Sequence, residues 1–291
     1  MDDAGITAHR FRGWWHTARA DTISHEMMRA EVWLQDTLNS SAGLDELAHR
    51  IGYSPSQIRR RFRDVFGISP GAYRDRLRMA KAARLLVQTP MSVRDVSREC
   101  SYGNHSAFTR AFQRHHGLTP RRYRRQRQID LQLQLRQAQC HFVYQTDEVP
   151  ASYALLTRLY NTPLALDEPN DWQQHLATAP LELGGLEQHS RLAIVQDHQR
   201  IASPARLDLG IQTESSAAMD LALPPAFRLI SLPRQRIARL HLETVRQLGD
   251  AMCFMSCRSF SGEGEVLKGE PLQLVPRSQG LELRIPLRES A

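Results

Sequence analysis

The sequence predicts a multidomain protein in which an all-α domain with two helix-turn-helix motifs, joined by a linker helix, is followed by an α+β domain. Three observations predict this. Positive charge is concentrated in residues 25–128, which hold 20 Lys and Arg against 9 Asp and Glu. A pattern of spaced residues occurs twice within that region. After it, the composition changes to short alternating apolar segments. A length of 291 residues also fits about two domains.

The charge distribution favours a polyanionic partner for the first domain. Nineteen of the 20 basic residues in 25–128 are arginine, whereas residues 129–291 hold 15 basic and 19 acidic residues. The planar guanidinium presents donors that suit phosphates and guanine edges. The alternative is a solvated cationic surface without a partner. The arginines are clustered and accompany a repeat, so we favour contact with nucleic acid.

The repeat has an offset of 49 residues that becomes 50 after a tyrosine. "LDELAHRIGYS" (44–54) matches "VRDVSRECSYG" (93–103), and the second copy then has one extra residue. The pairs that follow are Ile58 and Phe108, Phe62 and Phe112, Gly67 and Gly117, Ile68 and Leu118, Pro70 and Pro120, and Tyr73 and Tyr123. Agreement at so many spaced positions indicates a duplicated structural unit.

Each copy predicts two short helices joined by a tight turn, which is a helix-turn-helix unit. In residues 44–51 the apolar positions have the i, i+3, i+4, i+7 spacing of a buried stripe. Gly52 can end that helix, and Ser54 can cap the next, with Pro55 at its first position. The outer face of the second helix then carries Ser56, Arg59, Arg60 and Arg63, with Arg61 at its margin. Such a helix can lie in a major groove.

Residues 70–88 carry an apolar stripe that predicts one long helix between the two units. About 18 helical residues span ~27 Å, which approaches the ~34 Å of one DNA turn. This helix could therefore hold two recognition helices in neighbouring segments of the groove, so that one chain does what a dimer does elsewhere. Pro90 ends the helix, and Ser92 is a good N-cap for the next one.

The motifs "GYSPSQIRRRF", "GISPGAY" and "YGNHSAFTRAFQRHHGLTPRRYR" resemble the AraC/XylS family of transcription regulators. The resemblance covers about residues 26–126, and "EMMRAEVWLQDTLNSSAG" is similar to the family's first helix. It implies a DNA-binding domain at 26–127, preceded by an extension at 1–25, with double-stranded DNA and RNA polymerase as partners. The domain stands first in this chain, as in the family's Rob-like subgroup.

The resemblance also implies which residues contact bases. In the first recognition helix these are Ser56, Arg59 and Arg60, and in the second they are His105, Ser106, Thr109 and Arg110. His105 and Ser106 replace glutamines that are common in the subgroup, so we expect a different preferred sequence at that half-site. Arg63 on the outer face and Arg121 in "GLTPRRYR" complete the predicted DNA contacts.

The composition after Arg127 predicts a linker at 128–139 and a second domain at 140–291. Alternating apolar segments predict strands at "RLAIVQD", "ARLDLGIQT", "FRLISLP", "RIARLHLET" and "LELRIPL". "NDWQQHLATAP" and "VRQLGDAMCFMSC" predict helices. Strands arranged around two helices, with a rough internal duplication, predict an α+β domain.

This half resembles the GyrI-like effector-binding domain of the Rob-like subgroup, most clearly at "RIARLHLET", "LQLVP" and "LELRIPL". The resemblance implies a small-molecule effector. Members that bind organic cations carry a glutamate four residues before the proline of "LQLVP", where this chain has Leu272. Glu270 is close by but out of register. Glu270 and Trp172 are the candidate ligand-binding residues, and a neutral or anionic ligand fits as well as a cation.

No metal or cofactor site is predicted. Cys253 and Cys257 are one helical turn apart and could bind a soft metal or act in redox chemistry, together with Cys140 and His141. Packing among apolar neighbours is favoured instead, because free cysteine packs as a hydrophobe. For the pair His115–His116, a role at the helix end or in backbone contact is favoured over a metal site. Trp14, Trp15 and Trp33 are interpreted as packing residues.

Three functions remain open. The first is a ligand-responsive DNA-binding regulator, and the second is a regulator controlled only by its abundance. The third is an enzyme, in which the C-terminal domain hydrolyses a small molecule and the basic domain tethers it to DNA. The sequence has no P-loop, HExxH, GxSxG or paired acids, and no nucleophile with a base, so we expect no enzymatic activity. No apolar run approaches the ~20 residues of a membrane span. We expect a cytoplasmic, nucleoid-associated protein without membrane contact.

Overall fold

The computed structural model describes residues 24–40, 42–137, 142–162, 189–196, 205–261 and 265–288. The helices in these residues are α1 (His25–Asp36), α2 (Leu44–Ile51), α3 (Pro55–Phe66), α4 (Pro70–Gln88), α5 (Val93–Glu99), α6 (His105–His116), α7 (Pro120–Gln137) and α8 (Leu248–Ser261), with 3-10 turns at Ser216–Asp220 and Val245–Gln247. The strands are β1 (Tyr144–Val149), β2 (Ser152–Thr162), β3 (Ser190–Val195), β4 (Ala205–Thr213), β5 (Phe227–Leu232), β6 (Gln235–Leu242), β7 (Leu272–Pro276) and β8 (Leu281–Pro286).

The chain divides into two compact units whose boundary falls between Arg78 and Met79, inside α4. The first unit contains α1 to α3 and the start of α4. The second contains the rest of α4, the second helix-turn-helix and the whole sheet. The predicted domain bounds, 26–127 and 140–291 with a linker at 128–139, stay a prediction.

The predicted helix-turn-helix repeat is confirmed. Helices α3 and α6 both have 12 residues and begin 50 positions apart. Each ends at a glycine with positive φ, Gly67 at 74° and Gly117 at 76°, a conformation that glycine adopts without steric strain. The predicted cap Ser54 accepts from the Gln57 N–H at 3.3 Å, and its own N–H donates to Gln57 Oε1 at 2.8 Å. This capping box fixes where α3 begins.

The core of the first unit combines aromatic and aliphatic residues. Phe62 on α3 is fully buried and meets the ring of Tyr73 edge-on, with centroids 5.3 Å apart. Trp33 is 7% exposed and belongs to the same core, which confirms its predicted packing role. Trp14 and Trp15 lie outside the described residues. Burial of the Phe62 side of α3 leaves its arginine-bearing side facing outward.

The helices of the second unit repeat this arrangement. Phe108 and Phe112 on α6 are fully buried. Tyr123 on α7 meets Phe112 edge-on, with centroids 5.3 Å apart. Since Phe112 and Tyr123 follow Phe62 and Tyr73 by 50 residues, the duplicated sequence has produced a duplicated contact.

The eight strands form one antiparallel sheet in the order β1-β6-β8-β7-β3-β4-β2-β5. The order contains the predicted internal duplication. In the triplet β6, β7 and β8, the third strand lies between the first and the second, and the triplet β2, β3 and β4 has the same arrangement. The two triplets meet where β7 pairs with β3. Helix α8 packs on one face of the sheet through apolar residues that include Met252 and Met255.

The five predicted strand segments are confirmed as β3, β4, β5, β6 and β8, and "VRQLGDAMCFMSC" forms the second 3-10 turn and part of α8. β7 is the "LQLVP" segment. Strands β1 and β2 were not predicted, and the predicted helix "NDWQQHLATAP" lies outside the described residues. Helix α7 continues to Gln137, so the first ten residues of the predicted linker are helical. Within the described parts of the chain, no helix has both the length and the apolar character to cross a membrane.

Candidate nucleic-acid interface

The outer face of α3 is polar and cationic. Ile58 and Phe62 are 0% exposed and fix the rotation of the helix. The predicted contact residues Ser56, Arg59, Arg60 and Arg63 are all exposed. Among the described residues, the three arginines form no ion pair with a carboxylate. Their guanidinium groups therefore remain available to an external anion.

Arg61, at the margin of this face, is held by Tyr53. Its guanidinium lies 4.6 Å from the centroid of the Tyr53 ring and donates to the Tyr53 hydroxyl at 2.8 Å. The second unit lacks this pair, because Ala111 occupies the equivalent position. There Tyr102 packs against Phe108 instead, with ring centroids 5.4 Å apart. The two outer faces thus differ in charge as well as in predicted base contacts.

Helix α6 also presents a polar face. Asn104 caps it by accepting from the N–H groups of Ser106 at 2.8 Å and Ala107 at 3.1 Å. His105, Ser106 and Arg110 are exposed. Thr109 differs, because its hydroxyl oxygen is buried and has no hydrogen-bond partner. In this conformation Thr109 does not present its hydroxyl to solvent.

Two arginines of the basic region are structural, and the sequence reasoning missed them. Arg74 donates to the Ala42 carbonyl at 2.6 Å and to Thr37 Oγ1 at 3.1 Å. Arg124, 50 residues later, donates to the carbonyls of Leu86 at 3.0 Å and Met91 at 2.5 Å. Burial lowers the pKa of both guanidinium groups. Their recurrence at the repeat offset was the signal that separates them from surface arginines such as Arg121, which is exposed at the start of α7.

His116 has a packing role at the end of α6. Its ring stacks on Phe112, with centroids 4.3 Å apart, and its Nε2 lies 3.4 Å from the Met79 carbonyl oxygen. His115 meets the His116 ring edge-on. Across the described ranges, no group of three or more His, Cys, Asp or Glu side chains is arranged to hold a metal ion.

Cys253 and Cys257 lie on α8, with Cys253 buried against α7. The Cys253 thiol donates to the Leu131 carbonyl at 3.0 Å. Hydrogen bonding with Cys257, and then burial, raise the pKa of the Cys253 thiol. A buried, neutral thiol agrees with the packing interpretation. Cys140 and His141 lie outside the described residues.

The candidate ligand residues fall in different surroundings. Glu270 precedes β7 and forms an ion pair with Lys268 at 2.8 Å. Trp172 lies outside the described residues. Leu272 is 0% exposed and packs with Leu274 in the core beneath α8. A glutamate at position 272 would therefore enter the apolar core.

The opposite face of the sheet, which we call the polar face, carries buried charges that the sequence reasoning missed. Asp208 on β4 is fully buried and accepts from Arg158 twice at 2.8 Å, from Gln196 at 2.7 Å and from Arg228 at 2.9 Å. Burial alone would raise the pKa of Asp208. The charges and hydrogen bonds of Arg158, then Arg228 and Gln196, outweigh burial and lower the pKa to about 2.

Glu282 on β8 forms a second buried cluster on this face. Its carboxylate accepts from Arg284 at 2.6 Å and from Arg277 at 2.6 and 3.0 Å. Burial opposes ionisation, but the two arginines lower the pKa of Glu282. Arg239 Nε lies 3.6 Å from Glu282 Oε1, and Arg239 also pairs with Asp147. The two carboxylates of the polar face are thus both surrounded by guanidinium groups.

Residues 47–126 match the family model described as a helix-turn-helix domain. This range runs from α2 into α7 and includes both recognition helices. The chain thus contains a helical domain of the AraC type, which is a DNA-binding class, followed by a C-terminal antiparallel sheet region.

Individual relatives agree with this class. The right origin-binding protein of Escherichia coli (strain K12) is 35% identical over 94 residues, which are 32% of this chain and 32% of that protein. The probable transcription factor PqrA of Proteus vulgaris is 29% identical over 107 residues, covering 36% of this chain and 85% of that one. The DNA-binding domain of AdpA, solved in complex with a target DNA, is 27% identical with a TM-score of 0.35, covering 37% of this chain and 96% of that one.

The chain spans only about a third of the length of the first of these relatives. Among these relatives, PqrA is named as a probable transcription factor.

Proposed function

We propose that the protein is a sequence-specific transcription regulator that binds double-stranded DNA through α3 and α6 and responds to a small molecule in its C-terminal half. The observation that carries the proposal is the exposed polar face of each recognition helix within a matched helix-turn-helix domain. The resemblance of the C-terminal half to GyrI-like domains, together with its duplicated strand order, supports an effector-binding role.

Each recognition helix would read one segment of the major groove. Arg59 and Arg60 on α3, and Arg110 on α6, have the planar donor fork that pairs with guanine O6 and N7. Arg63 and Arg121 would contact phosphates, which positions the protein without reading sequence. RNA polymerase is the partner that the family resemblance implies, and binding to the chromosome would place the protein in the nucleoid.

The test is binding of the full-length protein to duplexes selected from a random pool, followed by sizing of the complex. We expect one chain per site covering about two DNA turns, since both recognition helices lie on one chain. If about five arginines neutralise phosphates, log K should fall with log salt with a slope of about −4.5. A flat salt response, no sequence enrichment, or binding only as a dimer would contradict the proposal.

A further inference from the structure

Two cysteines on α8 lie next to each other where this helix contacts α7. Cys253 and Cys257 are one helical turn apart, and neither is in a disulfide. Cys253 is 1% exposed and donates to the Leu131 carbonyl of α7 at 3.0 Å, whereas Cys257 is only partly buried. Hydrogen bonding with Cys257 is the largest of the effects that raise the pKa of Cys253. The two thiols are therefore in contact, and Cys257 gives the pair access to solvent.

The spacing of the pair does not suit a disulfide. Cβ atoms of residues four apart on a helix are about 5–6 Å from each other, whereas those of a disulfide are about 3.5–4.5 Å apart. Closing the bond would therefore require α8 to distort. The same spacing suits a single ion between the sulfur atoms. A thiolate–metal bond is about 2.3 Å long, so two thiolates that hold an ion linearly have sulfur atoms about 4.6 Å apart.

The donor set selects the kind of ion. Thiolates are soft ligands, which favour Cu⁺ over hard cations. Structural Zn²⁺ takes four ligands, and in the described parts of the chain no three His, Cys, Asp or Glu side chains are grouped to supply them. After hydrogen bonding with Cys257 and burial, the charge of Asp250 also raises the pKa of Cys253. A negative charge close to the two thiols favours a cation between them.

We propose that Cys253 and Cys257 bind one monovalent soft metal ion, Cu⁺, between their sulfur atoms. Each thiol loses its proton when the ion binds, so two thiols and one Cu⁺ give a bis-thiolate complex and two protons. The Cys253 thiol then no longer donates to Leu131, and the contact between α7 and α8 loses that hydrogen bond. The site does not depend on the proposed function.

The experiment is anaerobic titration of the reduced full-length protein with Cu⁺ in competition with the coloured chelator bicinchoninate. We expect the wild type to withdraw one Cu⁺ per chain from the chelator, and X-ray absorption to show two sulfur neighbours around the ion. Cys257→Ser should weaken binding by more than the ~10–100-fold that the loss of an outer-shell partner costs. Cys257→Met keeps a soft sulfur atom and should recover part of this affinity.

Two control variants remove thiols outside the pair. Cys100→Ala and Cys140→Ser should leave the affinity for Cu⁺ unchanged, and the melting temperature of each variant shows whether it is folded. Zn²⁺ should bind the wild type and Cys257→Ser equally. Equal Cu⁺ affinity in these two proteins, nitrogen neighbours around the ion, or weaker Cu⁺ binding in a folded control variant would overturn the proposal.

Oxidation distinguishes the metal site from a redox pair. Mild treatment with diamide, followed by mass spectrometry of peptides, should leave Cys253 and Cys257 without a disulfide between them. Ready formation of that disulfide would show that the sulfur atoms approach more closely than the helical spacing allows, and the proposal would then fail.

Discussion

The two helix-turn-helix units share a sequence pattern but not their surroundings. In the first unit, α2 and α3 pack with α1 in a core that is formed within residues up to Arg78. In the second, α5 and α6 belong to the same compact unit as the sheet. Ser259 on α8 donates to the Gln88 carbonyl at 2.9 Å, and both residues are buried. Arg84 donates to the carbonyls of Gly269 and Gln196 at 3.3 Å each.

Two units with the same sequence pattern therefore differ in what they contact. Because α4 is hydrogen-bonded to α8 and to residues next to the strands, we expect a change in the sheet to affect α6 more readily than α3. On the proposed function, the second recognition helix is the one that an effector in the sheet biases directly. The first recognition helix supplies a cationic face whose position depends on the core of the first unit.

The largest expected effect comes from truncating one buried aromatic side chain in each core. Phe62→Ala and Phe112→Ala should each lower the free energy of unfolding by about 3–5 kcal/mol, because both rings are fully buried. Hydrogen exchange should show that Phe62→Ala loosens α1 to α3 while the sheet stays protected. Phe112→Ala should loosen α6 together with α8 and β7. A loss of hydrogen-exchange protection in the sheet of the Phe62→Ala variant would contradict the separation of the two cores.

Acid should act on the second unit first. Folding lowers the pKa of Asp208 from an ordinary value near 3.8 to about 2, so the native state holds fewer protons there than the unfolded chain. The resulting stability, about 2 kcal/mol, is complete above pH ~4 and is lost as the pH falls towards 2. Urea unfolding monitored by hydrogen exchange, at pH values between 5 and 2.5, should show that the free energy of unfolding of the sheet falls as the pH falls. In Asp208→Asn this part of the pH dependence should disappear.

Substitutions on the two recognition helices should reduce DNA discrimination independently of each other. Arg59→Ala and Arg110→Ala should each reduce discrimination between the selected and a random duplex by about 1–3 kcal/mol, at different half-sites. Arg63→Ala is the control, because a phosphate contact should weaken both duplexes alike and make the salt slope shallower by about 1. Equal weakening on both duplexes in Arg59→Ala would show that this arginine contacts only the backbone.

The smallest effect separates backbone strain from packing. Gly52 and Gly269 both have positive φ, at 80° and 75°. A Cβ on Gly52 would meet nothing within 4 Å, whereas one on Gly269 would lie 2.7 Å from Leu85 Cδ2. Gly52→Ala should therefore destabilise by about 1 kcal/mol from strain alone. Gly269→Ala should lower the free energy of unfolding further, as measured by chemical denaturation. Equal decreases in the two variants would mean that the Leu85 side chain moves aside without cost.

The helical half was predictable because its signals are local. Apolar spacing, capping residues and the glycines at 67 and 117 all fall within a few positions of the structure they specify. Strand β2 was missed for a physical reason. Leu155 and Leu156 are adjacent and both 0% exposed, so β2 is buried on both faces and shows no alternation.

The charged face of the sheet was out of reach of local reasoning. Arg158 and Asp208 are 50 residues apart, and single charged residues are usually exposed. The core position of Leu272 is within reach of local reasoning, because "LQLVP" alternates and places Leu272 with Leu274 on the core side.

The boundary inside α4 has a consequence for building chimeric regulators. A joint placed in the 128–139 stretch would cut the chain within α7, whose Leu131 carbonyl accepts from Cys253 and whose Gln134 side chain pairs with Asp250. A transplanted sheet would then lose these partners and those of Ser259. A joint at the boundary inside α4 would cut that helix instead, so on the proposed function a chimera that keeps these partners carries the helical domain together with the sheet.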